Sequence, residues 1–164
     1  MDLYRKFAFS NQLFMKKLAF ILFAVLSAGI ASAQRLNPVS WTFSSKKIAA
    51  NVYEVQMVAT IQPGWHLYSQ TQPEDAIAQP TSFNFNKNPL VVFDGKVQEQ
   101  GKMVKFKDEK LGVSANQYSD KVVFVQKVKL IGKAKTSLTG KLEFQTCNDH
   151  KCLPPKTVNL SIAL

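Results

Sequence analysis

The stretch Asn51-Val52-Tyr53-Glu54-Val55-Gln56-Met57-Val58-Ala59-Thr60-Ile61 puts Tyr53, Val55, Met57, Ala59 and Ile61 on one face of an extended chain. Successive side chains of a strand point to opposite sides, so this period of two describes a strand with one face on a core. Residues 120–131 form the second long run, with Val122, Phe124, Val128 and Leu130 on one face and Val123 and Val125 on the other. Being apolar on both sides, its first half is expected at the centre of a sheet. Shorter strands are predicted over residues 39–43, 81–85 and 90–93, with a further irregular one over 95–106. Pro63-Gly64 and Asn86-Lys87-Asn88-Pro89 supply turn chemistry between them. Residues 69–79 and 107–119 are polar and aperiodic, which predicts surface loops. No helical period follows Ala33, and there are no repeats or low-complexity tracts. These features predict an all-β fold, an immunoglobulin-like antiparallel β-sandwich with Greek-key connections, with a closed barrel as the alternative.

The N-terminus has another purpose. Lys16 and Lys17 precede an apolar run from Leu18 to Leu26, and small residues follow, ending in Ala31-Ser32-Ala33. This is the pattern of a cleavable signal peptide over residues 1–33, with Met15 as an alternative start. Ser27, Gly29 and Ser32 interrupt the run, which falls short of the ~20 apolar residues of a spanning helix, so no stable membrane insertion is expected after cleavage. The mature domain, 34–164, has the size of one domain with its own core. The chain carries a formal charge of +10, and removing Arg5, Lys6, Lys16, Lys17 and Asp2 leaves +7. In an exported protein this charge does not argue for nucleic acid, and the lysines read as solvated strand faces and loops. A weaker reading is attraction to anionic lipid or an acidic partner.

The two cysteines lie in Cys147-Asn148-Asp149-His150-Lys151-Cys152-Leu153-Pro154-Pro155, between the alternating runs 142–145 and 158–162. Two such runs pair as antiparallel strands, which places the thiols at a hairpin end. Export permits a disulfide between them. Three chemistries remain open. In the first, the pair exchanges disulfides with a partner's thiolate, aided by His150 and Lys151 within the ring. In the second, the disulfide is a staple in a non-catalytic binding or assembly module. Against this, alternation places Cys147 with Glu143 and Gln145 on the polar side of its strand, and so short a ring gains little from loop closure. In the third, Cys147, His150 and Cys152, with His66, hold copper or zinc. No other cofactor is expected. Upstream, Trp65-His66-Leu67-Tyr68 follows the Pro63-Gly64 turn, and His66 and Tyr68 share a parity that points them together, away from Leu67.

Ile61-Gln62-Pro63-Gly64-Trp65-His66-Leu67-Tyr68-Ser69, Pro80-Thr81, and Phe144-Gln145-Thr146-Cys147 running to Cys152-Leu153-Pro154-Pro155 resemble the amino-terminal periplasmic domain of the thiol:disulfide interchange protein DsbD. The resemblance covers nearly all of the mature chain. It implies an immunoglobulin-like sandwich whose cysteine pair, here Cys147 and Cys152, shuttles electrons in the periplasm, with Cys152 as the site of the mixed disulfide. It also implies its partners: a membrane DsbD-type electron transporter, thioredoxin-like periplasmic proteins, and thiol proteins of cytochrome c maturation. Tyr68 matches an aromatic near the pair, whereas His66 stands where relatives carry a tyrosine. Asp108-Glu109 resembles an acidic dipeptide on a loop that caps the cysteines. The family can place a shielding phenylalanine next, but this chain has Lys110-Leu111, so Leu111 is expected to take the shielding role only in part. The cysteine spacing is one residue shorter than in some relatives. No membrane-spanning block or thioredoxin-like domain is seen in the chain, so both are expected from other proteins.

Overall fold

The computed structural model describes residues 36–164, so the segment read as a signal peptide, residues 1–33 with Met15, lies outside the described residues. The unit 37–164 contains nine strands: β1 (Val39–Ala49), β2 (Val52–Ile61), β3 (His66–Tyr68), β4 (Ser82–Phe85), β5 (Val91–Asp108), β6 (Val113–Leu130), β7 (Ser137–Phe144), β8 (Thr146–Cys147) and β9 (Lys156–Ala163). One sheet runs β1-β2-β6-β3-β8, with β5 paired to the other side of β6; the second runs β4-β7-β9. All pairings between these strands are antiparallel. The arrangement is an immunoglobulin-like β-sandwich rather than a closed barrel.

The alternation in the two long runs builds the core between the sheets. Val55, Met57, Ala59 and Ile61 of β2 and Val122, Phe124, Val128 and Leu130 of β6 are buried against Leu138, Leu142 and Phe144 of β7 and Leu160 and Ile162 of β9. Each such side chain contributes roughly 1.5–3 kcal/mol relative to leaving it exposed. Phe124 sits at the centre, its ring centroid 5.0 Å from that of Phe83 and 5.7 Å from that of Trp41. As expected from its two apolar faces, β6 is central: β2 pairs with Lys121 to Lys129, while β5 runs along nearly all of its opposite side.

Two readings of the sequence are corrected. Residues 90–93 and 95–106 are parts of one strand, β5, because register shifts at Asp94/Gln98 and Gly101/Met103 reset its phase and hide the alternation. Residues 107–119 are not a loop. The turn is confined to residues 109–112, with Gly112 at φ +65°, and β6 starts at Val113. Its first part is polar because Ser114 and Asn116 hydrogen-bond to the 69–80 segment instead of packing into the core. Asp120, at φ +64°, breaks the line of β6 where its partner on that side changes from β3 to β2.

Candidate functional site

The chain changes sheets at Gln145. β7 ends at Phe144 in the three-stranded sheet, paired to β9 (Phe144↔Lys156), and β8 begins one residue later in the six-stranded sheet, paired to β3. The cysteine hairpin is thus carried between the two layers at one end of the sandwich. Gln145 ties it down: its side-chain amide donates to the Leu153 carbonyl (3.1 Å) and its Oε1 accepts from the Gln79 N–H (2.8 Å). The Leu153 N–H donates to the Thr146 carbonyl (2.9 Å), and Leu153, held extended by Pro154, packs against the main core.

Cys147 and Cys152 form a disulfide, with an Sγ–Sγ distance of 1.97 Å. Asn148 shapes the ring between them. Its Oδ1 accepts from the N–H groups of His150 (3.0 Å) and Lys151 (2.8 Å), and its own N–H donates to the Lys151 carbonyl (2.9 Å). The two sulfur-bearing residues differ sharply in exposure: Cys147 is 3% exposed, whereas Cys152 is open to solvent.

The expectation that Cys147 lies on a polar, accessible face is therefore corrected. Its register partner is His66, and Leu67, the neighbour of His66, faces the main core. Cys147 accordingly points away from the inter-sheet core, as alternation requires, but into a second apolar cluster with Tyr68, Ala78 and Ala115. The sheet change at Gln145 and the cover supplied by the 69–80 segment bury a residue that strand parity alone places outside.

That segment is a loop, as its composition suggests, yet its polar side chains are engaged. The Glu99 carboxylate of β5 accepts the Ser69 hydroxyl (2.7 Å), the Gln70 N–H (2.6 Å) and the Tyr118 hydroxyl (2.7 Å). Gln72 and Asn116 exchange further bonds, and Thr81 Oγ1 donates to the Tyr68 carbonyl. Burial, then the hydrogen bond to Glu99 and its negative charge, push the Tyr118 hydroxyl well above its ordinary pKa; burial raises Tyr68 too. Above about pH 10 the folded chain therefore holds protons that the unfolded chain has lost. Stability should be fully present below that pH and decline as pH rises beyond it. Denaturant titrations on either side of about pH 10 should show a shallower decline in Tyr118→Phe than in the parent.

A cavity of about 440 Å³ opens beside the disulfide. His66 and Tyr68 from β3, Cys147, Asp149 and Cys152 from the hairpin, Asp108 from the end of β5, Leu111 from the β5–β6 turn, and Phe106 and Ile77 all line it. Of the residues singled out in the sequence, Cys147, Cys152, Tyr68, His66, Asp108 and Leu111 are thus brought together. Glu109 is not: it is exposed and pairs with Lys107 (2.8 Å). Asp108 Oδ1 accepts from the N–H groups of Lys110 and Leu111, which closes the turn and presents Leu111 at the rim, 73% exposed. Phe106, Ala78, Ala115 and Asp149 were missed. The alternation Val104-Phe106-Asp108 was the available signal for Phe106, but it is legible only when residues 107–119 are read as strand and turn.

Among the described residues, no three His, Cys, Asp or Glu side chains gather as a metal ligand set, and both sulfurs are committed to each other. A family model described as the N-terminal part of the thiol:disulfide interchange protein DsbD matches residues 33–163. The chain belongs to the DsbD N-terminal family.

Its Cys147–Cys152 disulfide fits a thiol:disulfide exchange module of that family. Three solved structures similar to the chain each share 17% identity with it. They include the reduced DsbD N-terminal domain of Neisseria meningitidis (TM-score 0.46, covering 75% of this chain and 84% of that one). The N-terminal periplasmic domain of ScsB from Proteus mirabilis gives 0.48, with 77% and 44% covered. The complex between the DsbD N-terminal and PilB N-terminal domains of N. meningitidis gives 0.48, with 78% and 87% covered. No curated protein sequence matches.

Proposed function

We propose that this chain is an exported electron relay: residues 1–33 direct secretion and are removed, and domain 34–164 works in the periplasm. A membrane DsbD-type transporter reduces it, and thioredoxin-like proteins, including those serving cytochrome c maturation, oxidise it. The observation that carries this reading is the asymmetry of the pair, one sulfur exposed and one buried, at the edge of a cavity with an apolar rim. Exchange needs an in-line approach to one sulfur and a protected leaving group in the other. Cys152 is the residue attacked and the site of the mixed disulfide; Cys147 leaves, and resolves the mixed disulfide in the reverse direction. Tyr68, Leu111 and Phe106 shield the bond and Asp108 holds the turn that carries Leu111, while Glu109 has no part at the sulfurs.

The reduction potential of the pair tests the proposal. Equilibration with glutathione or thioredoxin couples should give a value among the exchange-active proteins, between about −120 and about −270 mV. A value below roughly −300 mV would mark the disulfide as a staple and sink the relay.

A further inference from the structure

Resting on the exchange reading above, we propose that His66, steadied by Asp149, is the group that gives a proton to the buried sulfur of Cys147 and takes it back. The need for such a group follows from the geometry. Attack at Cys152 sends the electron pair of the broken bond to Cys147 Sγ, which is enclosed by Tyr68, Ala78 and Ala115. Apolar surroundings disfavour a thiolate, and a sulfur that must depart as a bare anion there is a poor leaving group. Without a proton or a positive charge at that point, exchange stalls.

The groups available are few. β3 contributes His66 and Tyr68, β6 contributes Ser119, the ring contributes Asp149, and the end of β5 contributes Asp108. Among these residue types, only an imidazole can both give and take a proton near neutral pH. His66 and Cys147 are direct partners across an antiparallel pair, so their Cβ atoms stand on the same face about 4.5–5.5 Å apart. The imidazole is also held from two sides. Nδ1 lies 3.0 Å from Ser119 Oγ, which orients the imidazole. Nε2 lies 3.6 Å from Asp149 Oδ1, an ion-pair separation longer than a hydrogen bond. Asp149 thus lies beside Nε2 without a hydrogen bond that would commit its N–H. It sits inside the disulfide ring, so the carboxylate stays with the sulfurs it serves. His150 and Lys151, the other basic groups of the ring, are exposed and do not line the cavity.

The step balances as follows. A thiolate of a reduced dithiol partner attacks Cys152 Sγ; the partner–Cys152 bond forms and the Cys147–Cys152 bond breaks. Its electron pair goes to Cys147 Sγ, which takes the Nε2 proton and becomes a thiol, leaving His66 neutral. The partner's second thiolate then attacks its own sulfur and expels Cys152, which is protonated from solvent. The partner ends as a disulfide, and once solvent returns a proton to His66 the domain has gained two electrons and two protons. In the opposite direction, neutral His66 accepts the proton as Cys147 attacks.

The experiment is stopped-flow reduction of the purified protein by excess dithiothreitol from about pH 5.5 to about pH 9, with each rate divided by the thiolate concentration of the reagent. The normalised rate of the parent should fall about tenfold as the imidazolium is lost. His66→Gln should lack this fall and react about tenfold more slowly at the acid end. Asp149→Asn, a change at an exposed side chain, should lower the rate at the acid end, because the imidazole loses the group that steadies it. His66→Tyr, which keeps a ring on the strand, repeats the comparison if the glutamine variant does not fold. Dithiothreitol reduces the bond whatever its natural partner, so this profile is independent of the relay reading. If the profile is present but the reduced protein does not pass its electrons to oxidised thioredoxin-like proteins, the relay fails and the proton transfer stands. An unchanged pH profile in folded His66→Gln or His66→Tyr overturns the proposal.

Discussion

Cys147→Ser protein is expected to accumulate as a covalent adduct with a thioredoxin-like partner, whereas Cys152→Ser protein should form at least tenfold less. The difference follows from exposure: Cys152 is open to solvent, and Cys147 is buried under Tyr68, Ala78 and Ala115. Thiol–disulfide exchange requires access along the axis of the bond that breaks, so only Cys152 can engage a second protein without rearrangement of the cover. In Cys147→Ser the domain's own releasing sulfur is gone, and with the partner's second cysteine also replaced by serine the mixed disulfide persists. Non-reducing electrophoresis measures both after incubation with a thioredoxin-like protein that keeps only its attacking cysteine, activated as a mixed disulfide with thionitrobenzoate, and mass spectrometry locates the joined cysteine. Equal trapping by the two variants, or trapping through Cys147, would contradict the assignment of Cys152 as the attacked sulfur.

The second large effect concerns the scaffold. Phe124→Ala is expected to cost about 3–5 kcal/mol, the range for deleting a buried aromatic ring. Phe124 is fully buried, with Phe83 and Trp41 packed against it from the other strands, so the space left cannot simply be flooded or closed. Since whole domains are stable by only about 5–15 kcal/mol, the loss is a large fraction of the total and should lower the midpoint of thermal unfolding by about 10 °C or more. A fall below about 1 kcal/mol in urea titrations would mean that the sandwich core is not built around β6. The same strand carries Ala115 and Ser119 at the cysteine end, so the core and the site share one support.

Much of this was readable before any coordinates. Strict alternation in residues 51–61 and double-sided hydrophobicity in residues 120–131 described the two strands on which the sheet is centred, and their shared parity named the core. His66 and Tyr68 were placed together by the same rule, and the two runs flanking the cysteines paired as expected, Phe144 with Lys156. What failed did so for local reasons. The bulges in β5 reset its phase, and the start of β6 spends its polar side chains on hydrogen bonds to a neighbouring segment, so neither shows a period. Glu99 illustrates the limit well: a charged residue in an aperiodic stretch gave no hint that it anchors Ser69, Gln70 and Tyr118.

By itself, the sequence determined the all-β class, the central strands and the identity of the two sulfurs, because alternation and cysteine spacing are local properties of a chain. Only the tertiary structure decided which sulfur is buried, since that depends on the sheet change at Gln145, on the loop whose Ala78 covers Cys147, and on the β5–β6 turn that brings Asp108 and Leu111 to the cavity. Those groups meet across long sequence separations, and no spacing within the cysteine stretch encodes what packs over it.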